Sequence, residues 1–251
     1  AVETTTITLT QDLVATDADL QLSIPGYKNI TIELAGHVLD RNLIGDDGPE
    51  ESNDTIINIE QNATLNITDS NPNTLKHNFK VLSDGLWVPT NEATGAVEIE
   101  SLTAYPETDA IITVTGGVLT GATVSGIINY GTLNLYAGNI VGNYTSAYGG
   151  GIMNNSILKM HGGKVSGNVA ENGGGGIANE DMYTDNPDTT IVGGEITFNT
   201  SMYIAGGIEV YAPVTIGGTA VVKNNIGYPD DTATASDVEY DGSELYIAAS
   251  P

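Results

Sequence analysis

Apolar and polar residues alternate in short runs along the chain, and the runs recur at a fixed interval. Three features follow one another in constant order. A glycine followed by isoleucine stands at Gly126-Ile127, Gly151-Ile152, Gly176-Ile177 and Gly207-Ile208, with spacings of 25, 25 and 31 residues. An alternating triplet stands at Leu133-Asn134-Leu135, Leu158-Lys159-Met160, Thr189-Thr190-Ile191 and Val214-Thr215-Ile216, with spacings of 25, 31 and 25. An aliphatic residue three places before an asparagine pairs Ile140 with Asn143, Val165 with Asn168, Ile196 with Asn199 and Val221 with Asn224, again spaced 25, 31 and 25. One frame explains all three, with a single six-residue insertion in 181–188, where Asn186-Pro187 predicts a surface loop.

Alternation over three to five residues marks a short strand with one buried face. Three such strands per period, separated by glycine and asparagine corners, predict a triangular coil. Successive coils then pair in parallel, with each residue above its copy about 4.8 Å away. The predicted fold is all-β: a right-handed, single-stranded parallel β-helix with coils of about 25 residues and irregular, capped ends. Strand one lies near 151–153, strand two near 157–160 and strand three near 164–166. Corner glycines supply positive φ and close backbone approach. Asn143, Asn168, Asn199 and Asn224 are expected to stack as a structural ladder whose amides satisfy backbone groups.

Elsewhere the frame is looser. Gly117-Val118-Leu119 repeats the third feature, with Ala122 in the asparagine place. Strand-like runs occur at 6–9, 20–24, 30–34 and 55–68. Residues 71–109 break the pattern with Pro72, Pro89, Pro106 and the single tryptophan, Trp87, and read as a long excursion over one face. The chain reads as one domain: coils and cap in 1–70, the excursion in 71–109, regular coils in 110–225, and an acidic last coil and cap in 226–251. Solenoid ends expose strand edges and core, so both ends are expected to be capped.

Composition narrows the function. The 251 residues include 31 glycines, 12 tyrosines, two phenylalanines and no cysteine. Without cysteine there are no disulfides, thiolate metal sites or thiol nucleophiles, as suits an oxidising exterior. Seven basic residues against 32 acidic ones give a net charge of −25, which repels nucleic acid and anionic membranes. The charge gathers at the ends: 19 acidic residues lie in 1–125, seven in 126–225 and six in 226–251. No run is long enough to insert in a membrane. No leader peptide stands at Ala1, so the chain reads as mature or trimmed.

The run ITIELAGHVL at 30–39, with GGKVSGN and GGGGIAN later, resembles the glycine-rich coils of bacterial adhesin-like and polymorphic surface proteins with a pectate-lyase-like fold. The resemblance covers most of the chain and implies an extracellular or cell-surface location, usually within a larger anchored chain. No anchor or sorting motif is present. The motif residues build the coil and carry no chemistry of their own.

The leading expectation is a non-catalytic adhesion or display module that recognises a host or microbial surface glycan or protein. Outward columns and corner loops offer Tyr136, Tyr148, Lys159, His161, Tyr203 and Tyr211 as ligand contacts, since tyrosine stacks on sugars and anchors proteins. A carbohydrate-active enzyme with a cleft formed by the 71–109 excursion is the first alternative, and a passive spacer the second. A hydrolase needs converging carboxylates, yet Glu195 and Glu209 fall on different strands. The single arginine, Arg41, lies outside the regular coils, where a lyase base is not expected. His37, His77 and His161 lack zinc spacing. No cofactor is expected. Calcium at 46–54 or 230–241, around Asp46-Asp47 and Asp230-Asp231, is a further option against plain solvated loops. Asn-x-Ser/Thr sequons, among them those at Asn29, Asn53, Asn62, Asn66, Asn143 and Asn199, arise readily in a chain rich in asparagine and threonine.

Overall fold

The computed structural model describes residues 4–16, 18–45, 48–49, 54–180, 188–228, 234–235, 237–240 and 245–247. Its body is a parallel β-helix. The first face stacks Leu22–Ile24, Ile57–Ile59, Ile127–Asn129, Ile152–Asn154, Ile177–Asn179, Ile208–Val210 and Val238–Tyr240. The second runs from Thr4–Thr8 through Asn29–Glu33, Thr64–Thr68, Thr132–Leu135, Ile157–Met160, Thr189–Ile191 and Val214–Ile216 to Leu245–Ile247. The third runs from Leu13–Val14 through Val38–Asp40, Val118–Thr120, Asn139–Val141, Lys164–Ser166 and Glu195–Thr197 to Val221–Lys223. All strand pairs within these three faces are parallel, and in the regular coils all but the pairing of Glu195–Thr197 with Val221–Lys223 keep the register the repeat requires, such as Leu133 over Leu158 and Ile152 over Ile177.

The triangular coil needs one correction. A fourth, two-residue strand follows the asparagine corner in the regular rungs: Tyr144–Thr145, Val169–Ala170, Thr200–Ser201 and Ile226–Gly227. Two residues are too few to show an alternation in sequence, so this side stayed hidden.

The core is a column of aliphatic side chains. Ile32, Ile67, Leu135 and Met160 stack on the second face, and Leu119, Ile140, Val165 and Ile196 on the third. Asparagines close it at two corners. Asn143, Asn168 and Asn199 each donate the backbone N–H and side-chain Nδ2 to Oδ1 of the next member, and Asn225 donates both in turn to Asp237, at 2.9–3.1 Å throughout. Ala122, in the vacant first place, donates its N–H to Asn143. The expected fourth rung, Asn224, is displaced by one. The turn after Ile216 carries an extra residue, so Ile196 pairs with Val222 rather than Val221. Asn225 therefore enters the ladder, and Asn224 takes the left-handed turn position at φ 57°. A second ladder, Asn129–Asn154–Asn179, runs inside the first face with amide contacts of 2.6 and 2.7 Å.

The excursion is a folded layer. Trp87–Thr90, Lys76–Val81, Ile111–Thr115 and Val97–Glu98 form a four-stranded sheet inserted between the second-face and third-face strands of one rung. Its inner side, Phe79, Val81, Trp87, Ile112 and Val114, packs on Val118, Val141 and Phe198 of the third face. Trp87 stacks on Phe198 with centroids 5.9 Å apart. Lys164 binds Glu100 of the insertion at 2.7 Å and lies 3.7 Å from Glu195.

Ile7, Leu13 and Leu22 are inward residues of the first rung, yet they are 51, 41 and 44% exposed.

Candidate functional site

A depression in the surface lies where the inserted sheet meets the early third-face strands. It holds about 480 Å³ and opens to solvent. Its floor is Asp12, Val14, Val38, Asp40 and Thr120, and its wall is contributed by Lys76, His77, Asn78, Pro89, Thr90 and Asn91 around the buried Phe79. Strand alternation explains the floor. Leu13 and Leu39 point into the core, so Asp12, Val14, Val38 and Asp40 point out.

Asp12 and Asp40 lie on neighbouring strands, two residues out of line. Strand geometry places their Cα atoms about 8 Å apart. Their environments differ. Burial pushes Asp12 upward, but the Val38 N–H and the His37 imidazole outweigh it, and the carboxyl sits below its ordinary value. Burial dominates at Asp40, only partly opposed by the Asn42 N–H, and its carboxyl sits above its ordinary value. His77 is held by a 2.9 Å hydrogen bond between Nε2 and the Gly36 carbonyl. Lys76 is engaged by Glu98 at the outer edge. The groove thus presents carboxylate, amide, hydroxyl and imidazole groups above a small apolar floor. That chemistry suits a polyhydroxylated ligand.

The residues singled out from sequence do not line this groove. They divide into groups on other faces. Tyr136 and His161 stack face to face beyond the second-face strands, with centroids 4.9 Å apart and planes 7° from parallel. Tyr136 is 47% exposed, and Lys159 beside them is 3.4 Å from Asp188. Tyr148 and Tyr211 meet edge to face at 6.2 Å at the corner of the first face. Tyr211 donates to Glu209 Oε1 at 2.7 Å. Burial and that bond push the Tyr211 phenol upward. Glu209 points outward yet is buried, lying against Gly173, where a Cβ would come within 2.2 Å of its carboxylate. Tyr203 is exposed on a corner loop.

Sequence reasoning missed Asp12, Asp40, Asn78, Thr90 and Asn91 as neighbours. The signal available was the outward place of Asp12 and Asp40 beside inward leucines. The wall could not be placed, because it reaches the floor only through the insertion's antiparallel pairing.

Arg41 is buried, with Nη2 on Asp54 at 2.7 Å, and is not among the residues that line the groove. Among the described residues no group of three or more His, Asp or Glu side chains is placed to hold a metal ion. Asp46-Asp47 and Asp230-Asp231 lie outside the described residues. No helix among the described residues is long and apolar enough to cross a membrane.

The fold and groove define a class, a parallel β-helix with a sheet inserted over one face. No protein-family model, curated protein or solved structure matches the chain. The resemblance to bacterial surface coils therefore rests on the coil residues alone.

Proposed function

We propose that the chain is a non-catalytic recognition module of a microbial cell surface that binds a glycan chain in the groove between the third face and the inserted sheet. The observation that carries this reading is the groove's lining. Asp12, Asp40, Thr90 and Asn91 offer hydrogen-bonding groups in an open trough of about 480 Å³. Such a trough accommodates a polymer passing through it, and its polar groups match sugar hydroxyls. The exposed Tyr136–His161 stack is a separate aromatic edge that a longer ligand or a protein partner could use.

A second reading, a carbohydrate-active enzyme, is favoured by one specific observation. Asp12 and Asp40 share the groove and are pushed in opposite directions, the pattern of an acid and base pair. Asp12 is, however, committed to His37 and to the Val38 N–H. Binding is therefore the conclusion.

The test is a glycan array read together with release of reducing or unsaturated products, using the wild type, Asn91→Ala, Asp40→Asn and Tyr136→Ala. Binding without products, lost in Asn91→Ala and kept in Tyr136→Ala, is the expected result. Product release abolished by Asp40→Asn would establish the enzyme. Binding lost only in Tyr136→Ala would move the site to the coil face. Neither binding nor products would leave a protein ligand or a spacer.

A further inference from the structure

The floor of the groove holds a carboxylate that the chain leaves incompletely partnered. Asp40 stands there between Val14 on one neighbouring strand and Thr120 on the other. Its Oδ1 accepts the Asn42 N–H at 2.7 Å, and among the described residues the carboxylate accepts no other hydrogen bond. Val14 has no polar side-chain atom to offer, and the Thr120 hydroxyl donates to the Gly142 carbonyl at 3.4 Å. The basic groups around the groove are engaged with other partners. Lys76 pairs with Glu98, Arg41 with Asp54 and His37 with Asp12, while His77 bonds the Gly36 carbonyl. None of the described basic side chains pairs with Asp40. Asp12, by contrast, accepts both the Val38 N–H and the His37 imidazole on Oδ1. Burial pushes the Asp40 carboxyl upward, as a charge taken partly out of water without a counter-charge requires.

We infer that the groove selects glycans carrying free amino groups, with one sugar ammonium seated on Asp40. This rests on the proposed reading of the groove as a glycan site and names the substrate class of that site. An ammonium supplies what Asp40 lacks, an opposite charge and N–H donors, and charge-assisted hydrogen bonds are the strong ones. An N-acetyl group in the same place brings no charge, and a sugar hydroxyl brings only a neutral donor. A sugar carboxylate would meet Asp12 and Asp40 on the floor and a net charge of −25 around them. The same field draws a cationic polymer towards the groove. The remaining lining favours a ring over a bare lysine side chain. Val14, Val38 and Pro89 give the C–H face of a sugar an apolar surface, and Thr90 and Asn91 lie within reach of its hydroxyls. Bound ligand thus offsets a charge that costs stability in the free protein.

The experiment is calorimetric titration of the chain with oligomers of glucosamine, N-acetylglucosamine and glucose, matched in length and linkage, and with oligolysine as a fourth probe. The buffer is mildly acidic, so that the sugar amines are protonated. Glucosamine oligomers are expected to bind about tenfold or more tighter than the other two sugars, the step that one charge-assisted hydrogen bond is worth. Asp40→Asn keeps the shape of the side chain and the acceptor for the Asn42 N–H, and it should bring the three sugars to within about twofold of one another. Added salt should weaken the glucosamine oligomer most. Equal binding of all three sugars, lost in Asn91→Ala but untouched by Asp40→Asn, would overturn the inference and leave the glycan groove standing. A preference for the amine that survives Asp40→Asn would overturn it by placing the ammonium elsewhere. Oligolysine bound as tightly as the amino sugar, and released by Asp40→Asn, would overturn it in favour of a basic peptide. Failure of every sugar to bind would remove the glycan reading itself, and this inference with it.

Discussion

Asn168 shows how one residue holds two rungs. Its Oδ1 accepts from the N–H and Nδ2 of Asn143, both at 3.0 Å, and its Nδ2 reaches the Ile140 carbonyl and Asn199, both at 2.9 Å. Gly151 makes room for it, since a Cβ there would lie 3.0 Å from that amide nitrogen and 2.7 Å from the Gly176 carbonyl. The glycine and asparagine columns are thus one device. Asn168→Ala strands buried donors on Asn143, and the expected loss is about 2–4 kcal/mol of unfolding free energy by urea denaturation. A loss below about 1 kcal/mol would mean that water replaces the ladder. Asp40 gives a pH signature. Its folded pKa is raised by burial, so the native state holds the proton more tightly and this residue's contribution to stability falls as pH rises past the ordinary carboxylate value. Asp40→Asn should therefore raise Tm at neutral pH. The gain should shrink as pH approaches and passes below about 3.9. A lower Tm at neutral pH would show that the carboxylate is stabilising there. The ladder was legible in the sequence at Asn143, Asn168 and Asn199, because rungs of regular length keep them in register. It slipped at Asn224, because two adjacent asparagines fit the pattern and only the turn length decides between them.

The inserted sheet is the element that makes a groove from a smooth solenoid. Trp87 anchors it. The Trp87 backbone N–H donates to the Gly167 carbonyl at 3.1 Å, and a Cβ on Gly167 would lie 2.2 Å from the indole. Gly167 also holds φ 62°, so two requirements meet at one residue. Gly167→Ala should shift the tryptophan emission to longer wavelength and cost about 2 kcal/mol or more through overpacking and strain. Unshifted emission would show that the coil, not the insertion, yields. The broken periodicity of 71–109 told where the coil is interrupted. It could not tell that Lys76–Val81 pairs with both Trp87–Thr90 and Ile111–Thr115, because antiparallel pairing across a long loop leaves no periodic trace. The groove wall was hidden for the same reason, and with it the site.

At the scale of the whole molecule, charge and stacking pull in opposite directions. The parallel rungs are locked by core and ladders, while a net charge of −25 pushes the ends apart. Among the described residues the lysines that pair with carboxylates do so mostly at the surface. Screening should therefore stabilise the fold. Raising sodium chloride from low to about physiological strength and beyond, where the Debye length falls below about 8 Å, is expected to raise Tm. A fall in Tm would mean that the surface pairs matter more than the repulsion. The period-based architecture was readable from composition and spacing because every rung repeats the same physical problem. The proposed recognition groove was not, because it occurs once. The most direct measurement of its role is a backbone NMR titration of the labelled chain with the strongest glycan from the array. The account predicts shifts concentrated at Asp12, Asp40, His77, Thr90 and Asn91. Shifts confined to Tyr136, Lys159 and His161, with the groove silent, would contradict it.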